Sequence, residues 1–448
     1  MNRRNGIAAA LAAGAALYLQ AASPLSAQSW DLPSRAADSV SPVFDGKLKL
    51  SFEQRDRFES RTENSFGNDV DSNSVLVRTR LGVSYQPVTW LKVSGMLQDS
   101  RAPWYGDNAP NTIRDPIDLQ ESYFELFPDS KTGFGMSAGR RMLNYGEARL
   151  IGSPQWSNLS RTFDHARAYY RTRHVRLEML LVSPVKILIG DFNHPNLGDR
   201  VWGTYESFPD FYKKNLLEAY VLRHDQNRPG GFTGGTKVAG TDTLGVNTFG
   251  MRLTGPLLWG TRYSIETALQ NGHVGPASDR GRAWFSSVSR RWTVAGKPFD
   301  LSGEYKYASG TPNPQDTTQT RTFDQLYPAN HDKFGHEDLF GWKNLHNVRS
   351  LATYGLTKNF ALNFMYNNYW LASARDGLYN SSGKSIARSA NGTAGTHVGQ
   401  EADVFGTYKV KHFQFGAGYG HFFTGGFITH TTPGKSPVYV YVFQTYSL

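Results

Sequence analysis

Val77-Arg78-Thr79-Arg80-Leu81-Gly82-Val83-Ser84-Tyr85 decides the fold. Val77, Leu81, Val83 and Tyr85 stand on one side of the run, and Arg78, Arg80, Gly82 and Ser84 on the other. Successive strand side chains point to opposite faces, so this is a β-strand with one apolar face and one wet, cationic face. The same period of two returns in Lys47 to Glu53, Leu91 to Gln98, Phe249 to Leu253, Tyr263 to Gln270, Phe360 to Asn367 and Phe413 to Gly420. It closes the chain in Val438 to Leu448.

Such strands suit an antiparallel sandwich with one wet face or a membrane barrel with a water-filled lumen. Three features favour the barrel. The polar faces mix small residues with ions, as a lumen does. Aromatic residues gather at strand ends (Tyr85 with Trp90, Tyr366 with Tyr369 and Trp370, Tyr305 with Tyr307), the pattern of two interfacial girdles. The last strand is alternating and aromatic, like the C-terminal signal read by barrel-assembly machinery, although Leu448 stands where Phe or Trp is usual.

Composition agrees. Aromatic residues form 13% of the chain, with 45 Gly and no Cys, which excludes disulfide frameworks and thiolate sites. Arg3 and Arg4, the apolar stretch Ile7 to Leu19 and the small residues Ser26 and Ala27 form a secretion signal over 1–27. Its apolar core spans only about 20 Å as a helix, too short to stay in a bilayer. The expectation is thus all-β: a single transmembrane antiparallel barrel over 28–448 after a cleaved leader.

Short turns are expected at Gln86 to Thr89 and Thr357 to Asn359. Long polar links are expected at 61–74, 101–117, 191–211, 224–245, 272–281, 309–343 and 372–396. Alternating short and long links is the habit of an up-and-down membrane barrel. Residues 28–46 are too few for a plug domain.

Lys and Arg number 48 against 38 acids, a balance of +10 that favours anionic partners. For an exported chain these are acidic polysaccharide or the phosphates of outer-membrane lipopolysaccharide, not nucleic acid. Alternation puts Lys47, Lys49, Arg55, Arg78, Arg80, Arg252 and Arg349 on polar strand faces.

Two segments go further. Gly139-Arg140-Arg141-Met142-Leu143-Asn144-Tyr145-Gly146-Glu147-Ala148-Arg149-Leu150-Ile151-Gly152 precedes Trp156-Ser157-Asn158 and Ser160-Arg161-Thr162-Phe163-Asp164. Phe323-Asp324-Gln325-Leu326-Tyr327-Pro328-Ala329-Asn330-His331 leads to Gly335, Asp338 and Gly341-Trp342-Lys343-Asn344-Leu345. These, with Gly399-Gln400-Glu401-Ala402-Asp403, resemble the signature stretches of the alginate-export family of outer-membrane barrels. The resemblance covers the mature chain and implies about 18 strands, within the known range. It also implies a passive conduit for alginate or a related uronate polymer, working beside periplasmic export proteins. Arg140-Arg141 departs from the family's more usual Arg then Gln.

A polymer with one carboxylate per sugar needs many weak cationic contacts, which Arg supplies in bidentate form. The candidate pathway is Arg78, Arg80, Arg149, Arg161, Arg140, Arg167, Arg55, Lys49, Arg252 and Arg349. The competing reading makes these arginines structural, in ion pairs with Glu53, Glu147, Asp164, Glu401 and Asp403, or with Glu121 and Glu125. Trp104, Tyr105, Tyr145 and Trp156 offer sugar-stacking faces, though most barrel aromatics anchor at the membrane interface.

Catalysis is not expected. Ser160, Asp164 and His165 lack a nucleophile-elbow pattern, and Gly133-Phe134-Gly135 lacks the rest of a phosphate-binding fingerprint. No cofactor or metal is expected, although His331-Asp332 and His336-Glu337-Asp338 offer oxygen and imidazole ligands. The alternative functions are a small-solute porin, narrowed by inward folding of 309–343 and 372–396, and a surface adhesin.

Overall fold

The computed structural model describes residues 46–448 apart from 106–108, 111, 129–131, 228–242 and 332. The leader assigned to 1–27 lies outside the described residues.

The barrel has 18 strands. They are β1 (Leu48–Thr62), β2 (Ser72–Val88), β3 (Leu91–Arg101), β4 (Asp115–Leu126), β5 (Gly133–Arg141) and β6 (Phe163–Arg171). β7 (Arg176–Lys186), β8 (Asp199–Phe208), β9 (Leu216–Asn227), β10 (Thr243–Pro256), β11 (Thr261–Val274) and β12 (Arg282–Val294) follow. β13 (Lys297–Ala308), β14 (Leu345–Gly355), β15 (Phe360–Leu371), β16 (His397–Val410), β17 (Phe413–Thr424) and β18 (Val438–Ser447) complete it. Each strand pairs antiparallel with the next, and β18 returns to β1 with Glu53 opposite Ser447 and Thr62 opposite Val438. Closure leaves no unpaired edge, the condition for strands to cross a bilayer. Among the described residues no helix is long and apolar enough to do so.

Alternation assigns the faces as the sequence predicts. In β2, Leu81 is 54% exposed on the outer wall while Arg78 and Arg80 are buried inside. In β10, Met251 is outside and 49% exposed, with Arg252 beside it buried inside. The start of β1 and the end of β18 lie at the short-turn end of the barrel: Leu48 is opposite Tyr85, and the Phe52 carbonyl accepts from the Leu448 amide at 2.9 Å.

Three links differ from expectation. Residues 199–208 form β8, and the link is 187–198; Arg200 and Thr204 interrupt the apolar side of that strand and hide its periodicity. Residues 142–162 and 425–437 are long links, the second holding the short helix Gly426–Thr431. Tyr369, expected in an interfacial girdle, is fully buried inside; its hydroxyl donates to Phe334 O at 2.7 Å and to Glu401 at 3.2 Å. Tyr366 and Trp370, at the opposite parity, remain on the outer wall.

The barrel interior is packed rather than empty. One contiguous buried cluster joins inward residues such as Leu180, Tyr205, Tyr220, Phe285 and Phe422 to Leu143, Leu150 and Ile151 of link 142–162. Phe323, Phe334, Phe340 and Trp342 of link 309–344 belong to the same cluster. The two links meet: Ile151 bridges Tyr327, and the Gly152 amide donates to Tyr327 O at 2.8 Å.

Candidate functional site

A link inside a barrel must find partners for its backbone carbonyls, because unpaired buried polar groups are costly. Inward arginines of β1 and β2 provide them. Arg55 Nη1 and Arg78 Nη1 donate to Gln155 O at 2.8 and 3.0 Å, and to the Ser157 carbonyl Arg55 Nη2 and Arg78 Nη1 donate at 2.9 and 2.8 Å. Arg80 donates to Gln98 Oε1 at 2.6 Å, Gln155 Oε1 at 3.0 Å and Ser160 Oγ at 2.8 Å. Arg57 lies 4.0 Å from the Trp156 ring centre, and that ring stacks on His331 at 4.5 Å. Glu53 pairs with Arg78 at 2.7 Å.

Across the barrel the lumenal ions form a second network. Arg149 pairs with Glu147 at 2.9 Å, Arg252 reaches Glu147 at 3.2 Å and Glu218, and Ser264 Oγ donates to Glu147 at 2.9 Å. Burial works against the Glu147 charge, but Arg149 and Arg252 hold its carboxyl below the usual carboxylate range. The Arg149 guanidinium lies 3.4 Å from the Phe285 ring centre, with Nε 4.0 Å from Glu266 and the buried Nη1 without a hydrogen-bond partner. Next to it, Glu304 binds Lys306 at 2.8 Å and Arg349 at 2.5 Å.

A third group lies on β4 to β7. Arg140 makes two contacts to Asp164, at 2.9 and 3.1 Å, and Arg167 lies 3.7 Å from both Glu125 and Glu178. Arg161 donates to Gly152 O at 3.1 Å and Pro328 O at 3.0 Å, clasping the two inward links. Burial pushes its guanidinium down to about 10, so it stays charged at neutral pH.

The candidate residues therefore fall into distinct settings. Arg55, Arg78 and Arg161 bind backbone of the inward links and Arg80 binds the Gln155 and Ser160 side chains of one of them, while Arg140, Arg149, Arg167, Arg252 and Arg349 sit in carboxylate networks. Glu53, Glu147 and Asp164 pair with Arg78, Arg149 and Arg140 respectively. Glu401 instead accepts from the Tyr369 hydroxyl and, at 3.1 Å, from the Glu337 amide. Gly335, at φ +90°, lets the link approach this carboxylate: a Cβ there would meet Glu401 Oε1 at 2.2 Å. Asp403 is buried beside the same link.

Lys49 is the exception. It stands on an inward position near the short-turn end of β1 and is exposed. Arg262 of β11 and Lys409 of β16 share that setting, at the parity of buried Ser264 and Asp403 respectively. None of the three has an ion-pair partner among the described residues. The lumen is thus charge-balanced at its packed waist and carries unpaired cations at the short-turn mouth.

A group beyond those singled out in the sequence surrounds a cavity of about 310 Å³ between the inward links and β7 to β11. His224 bridges Asp324 at 2.6 Å and Asp199 at 3.1 Å, and Tyr327 bonds Asp199 as well. Arg161, Lys186, Lys343 and Asp279 complete its charged lining. Asp324, Tyr327 and Lys343 stand in the second signature stretch; His224 and Asp199 carry no local signal. His331 pairs with Asp338 at 2.7 Å, and His336 meets the Tyr441 hydroxyl at 3.0 Å. Asp332 lies outside the described residues, and no set of three metal-ligating side chains occurs among those described.

A closed antiparallel barrel with an apolar outer wall, a charged interior, and short turns opposite long links defines an outer-membrane channel protein. The family model for alginate export matches residues 47–442, and the chain belongs to that family. Three outer-membrane proteins of Pseudomonas aeruginosa share its architecture at 10% identity, each aligning over 90% of this chain. OccK11 (OpdR) has a TM-score of 0.59 with 96% of its own chain covered. OccK2 (OpdF), solved with glucuronate, gives 0.59 and 98%, and OpdK, solved with vanillate, gives 0.58 and 98%. At such identity these show the fold alone. No curated protein matches the chain in sequence.

Proposed function

We propose that the barrel conducts an anionic polysaccharide, alginate or a similar polyuronate, across the outer membrane. The observation that carries this reading is the set of unpaired inward cations Lys49, Arg262 and Lys409 at the short-turn mouth, the periplasmic side of such a barrel. Exposed cations without fixed carboxylate partners attract a polyanion yet hold each uronate weakly enough to release it, as conduction requires. Arg149, whose Nη1 has no hydrogen-bond partner, is the strongest candidate for the next contact inward. Arg78, Arg80, Arg140, Arg167, Arg252 and Arg349 then act chiefly by shaping the wall and by holding the inward links.

A second reading, a channel for small sugars or organic anions, is favoured by the packing of links 142–162 and 309–344 across the interior. The OccK2 and OpdK structures, solved with small carboxylates, fit that alternative. Planar-bilayer recording of the refolded protein separates the readings. The polymer reading expects anion selectivity and a current reduced by polyuronate added at the short-turn side. Cation selectivity, or an anion current indifferent to polyuronate but reduced by free glucuronate, contradicts it.

A further inference from the structure

The outer wall carries a cationic groove that the lumen does not use. Arg280, Arg282 and Arg321 line a cavity of about 400 Å³ with Tyr307, Ser309, Gly310, Pro312 and Ser373, and no carboxylate lines it. All three arginines are exposed, and none has an ion-pair partner among the described residues.

The backbone assembles them. Arg280 N donates to Thr320 O at 3.0 Å, which places Arg321 alongside. The Ser309 hydroxyl accepts from Arg282 N at 2.8 Å and donates to Arg321 O at 2.6 Å, tying two of the arginine backbones to one atom. Arg282 Nε donates to the Tyr307 hydroxyl at 3.3 Å, which keeps the guanidinium on the wall.

Position identifies the ligand. Arg282 has the parity of Trp284, and Tyr307 that of Tyr305; Trp284 and Tyr305 are exposed on the lipid-facing wall. The arginines therefore stand just beyond an aromatic belt, at the long-link end, where outer-leaflet headgroups lie. Planar guanidinium forks match phosphate oxygens, and tyrosine and serine hydroxyls suit the sugar that bears them.

We propose that this groove binds the phosphorylated sugar headgroup of an outer-leaflet glycolipid. The binding fixes links 275–281 and 309–344 to the membrane and is independent of which cargo the lumen passes.

The test uses the full refolded protein in detergent. Binding of bis-phosphorylated lipid A is measured by native mass spectrometry, against its dephosphorylated form, inorganic phosphate and an oligouronate. The variants are R282Q alone and R280Q/R282Q/R321Q, with strand content checked by circular dichroism. At about fivefold per basic residue on an anionic lipid surface, the triple variant should bind lipid A about a hundredfold more weakly, and R282Q about fivefold. Single-channel conductance should stay unchanged in both. Equal binding of the dephosphorylated lipid, or unchanged affinity in the well-folded R282Q protein, overturns the proposal. So does displacement of lipid A by inorganic phosphate at similar concentration, which marks a free-anion site. Preferential oligouronate binding makes the groove a polysaccharide capture site instead and equally overturns it.

Discussion

Replacing Arg78 and Arg55 by Met asks whether these arginines hold link 142–162 inside the barrel. Arg78 makes a buried ion pair with Glu53 and bonds to Gln155 O and Ser157 O, and Arg55 bonds the same two carbonyls. In R78M each carbonyl keeps one donor, and Glu53 keeps Arg80 at 3.8 Å. The loss is then about one hydrogen bond to a charged group, about 2–3 kcal/mol. In R55M/R78M both carbonyls lose their guanidinium donors; exposed Gln155 turns its carbonyl to water, whereas the half-buried Ser157 carbonyl left unpaired adds about 1–3 kcal/mol. The double variant should therefore exceed the sum of the singles by about 1–3 kcal/mol. A factor of ten per 1.4 kcal/mol makes opening of the link about 30- to 140-fold more frequent in R78M. Hydrogen exchange at the Tyr145 and Gly152 amides, which donate to Ile151 O and Tyr327 O within the packed interior, reads that opening directly. Single-channel conductance should rise or flicker in parallel. Unchanged exchange at both amides in the double variant, or strictly additive effects, refutes the assignment of these arginines to the link.

Three further outcomes follow from the same geometry. M251R places a cation on the lipid-facing wall and should cost about 2–4 kcal/mol in unfolding from lipid vesicles, whereas S287R, on the lumenal face of β12, should cost well under half of that. Asp324 is held below its usual carboxylate value of 3.8: burial raises it, but His224 and Lys343 lower it further. A depressed native value means stability present above the unfolded value and lost as pH falls through the native one. Proteolysis of link 309–344 should accordingly accelerate below about pH 4, and D324N should be insensitive over that acid range at the same bond. K49Q/R262Q/K409Q should shift the reversal potential in a salt gradient toward cation selectivity, an effect that shrinks above about 0.5 M salt as screening shortens; no shift would mean that these cations do not face the ion path.

The barrel was legible because lipid imposes period two on every crossing strand, and runs such as Val77 to Tyr85 obey it. β8 escaped because Arg200 and Thr204 interrupt its apolar side, and Tyr369 was misplaced because an aromatic near a strand end has two possible faces. Alternation correctly put Arg55, Arg78 and Arg80 inside, but it says nothing of what else enters the lumen. The carbonyls of Gln155 and Ser157 that Arg55 and Arg78 bond lie 77 to 102 residues away in a link whose backbone carries no side-chain pattern. His224 and Asp199 were silent for the same reason: each is an ordinary strand residue until link 309–344 brings Asp324 and Tyr327 against them.

Flux through proteoliposomes tests the central claim most directly. Length-defined fluorescent polyuronate chains, and neutral glucans of equal length, are loaded inside vesicles carrying the oriented protein, and their release is timed. A polyanion conduit releases the polyuronate chains much faster than the neutral ones, and K49Q/R262Q/K409Q slows only the former. Release of free glucuronate and small neutral sugars, with every polyuronate chain retained, would contradict it.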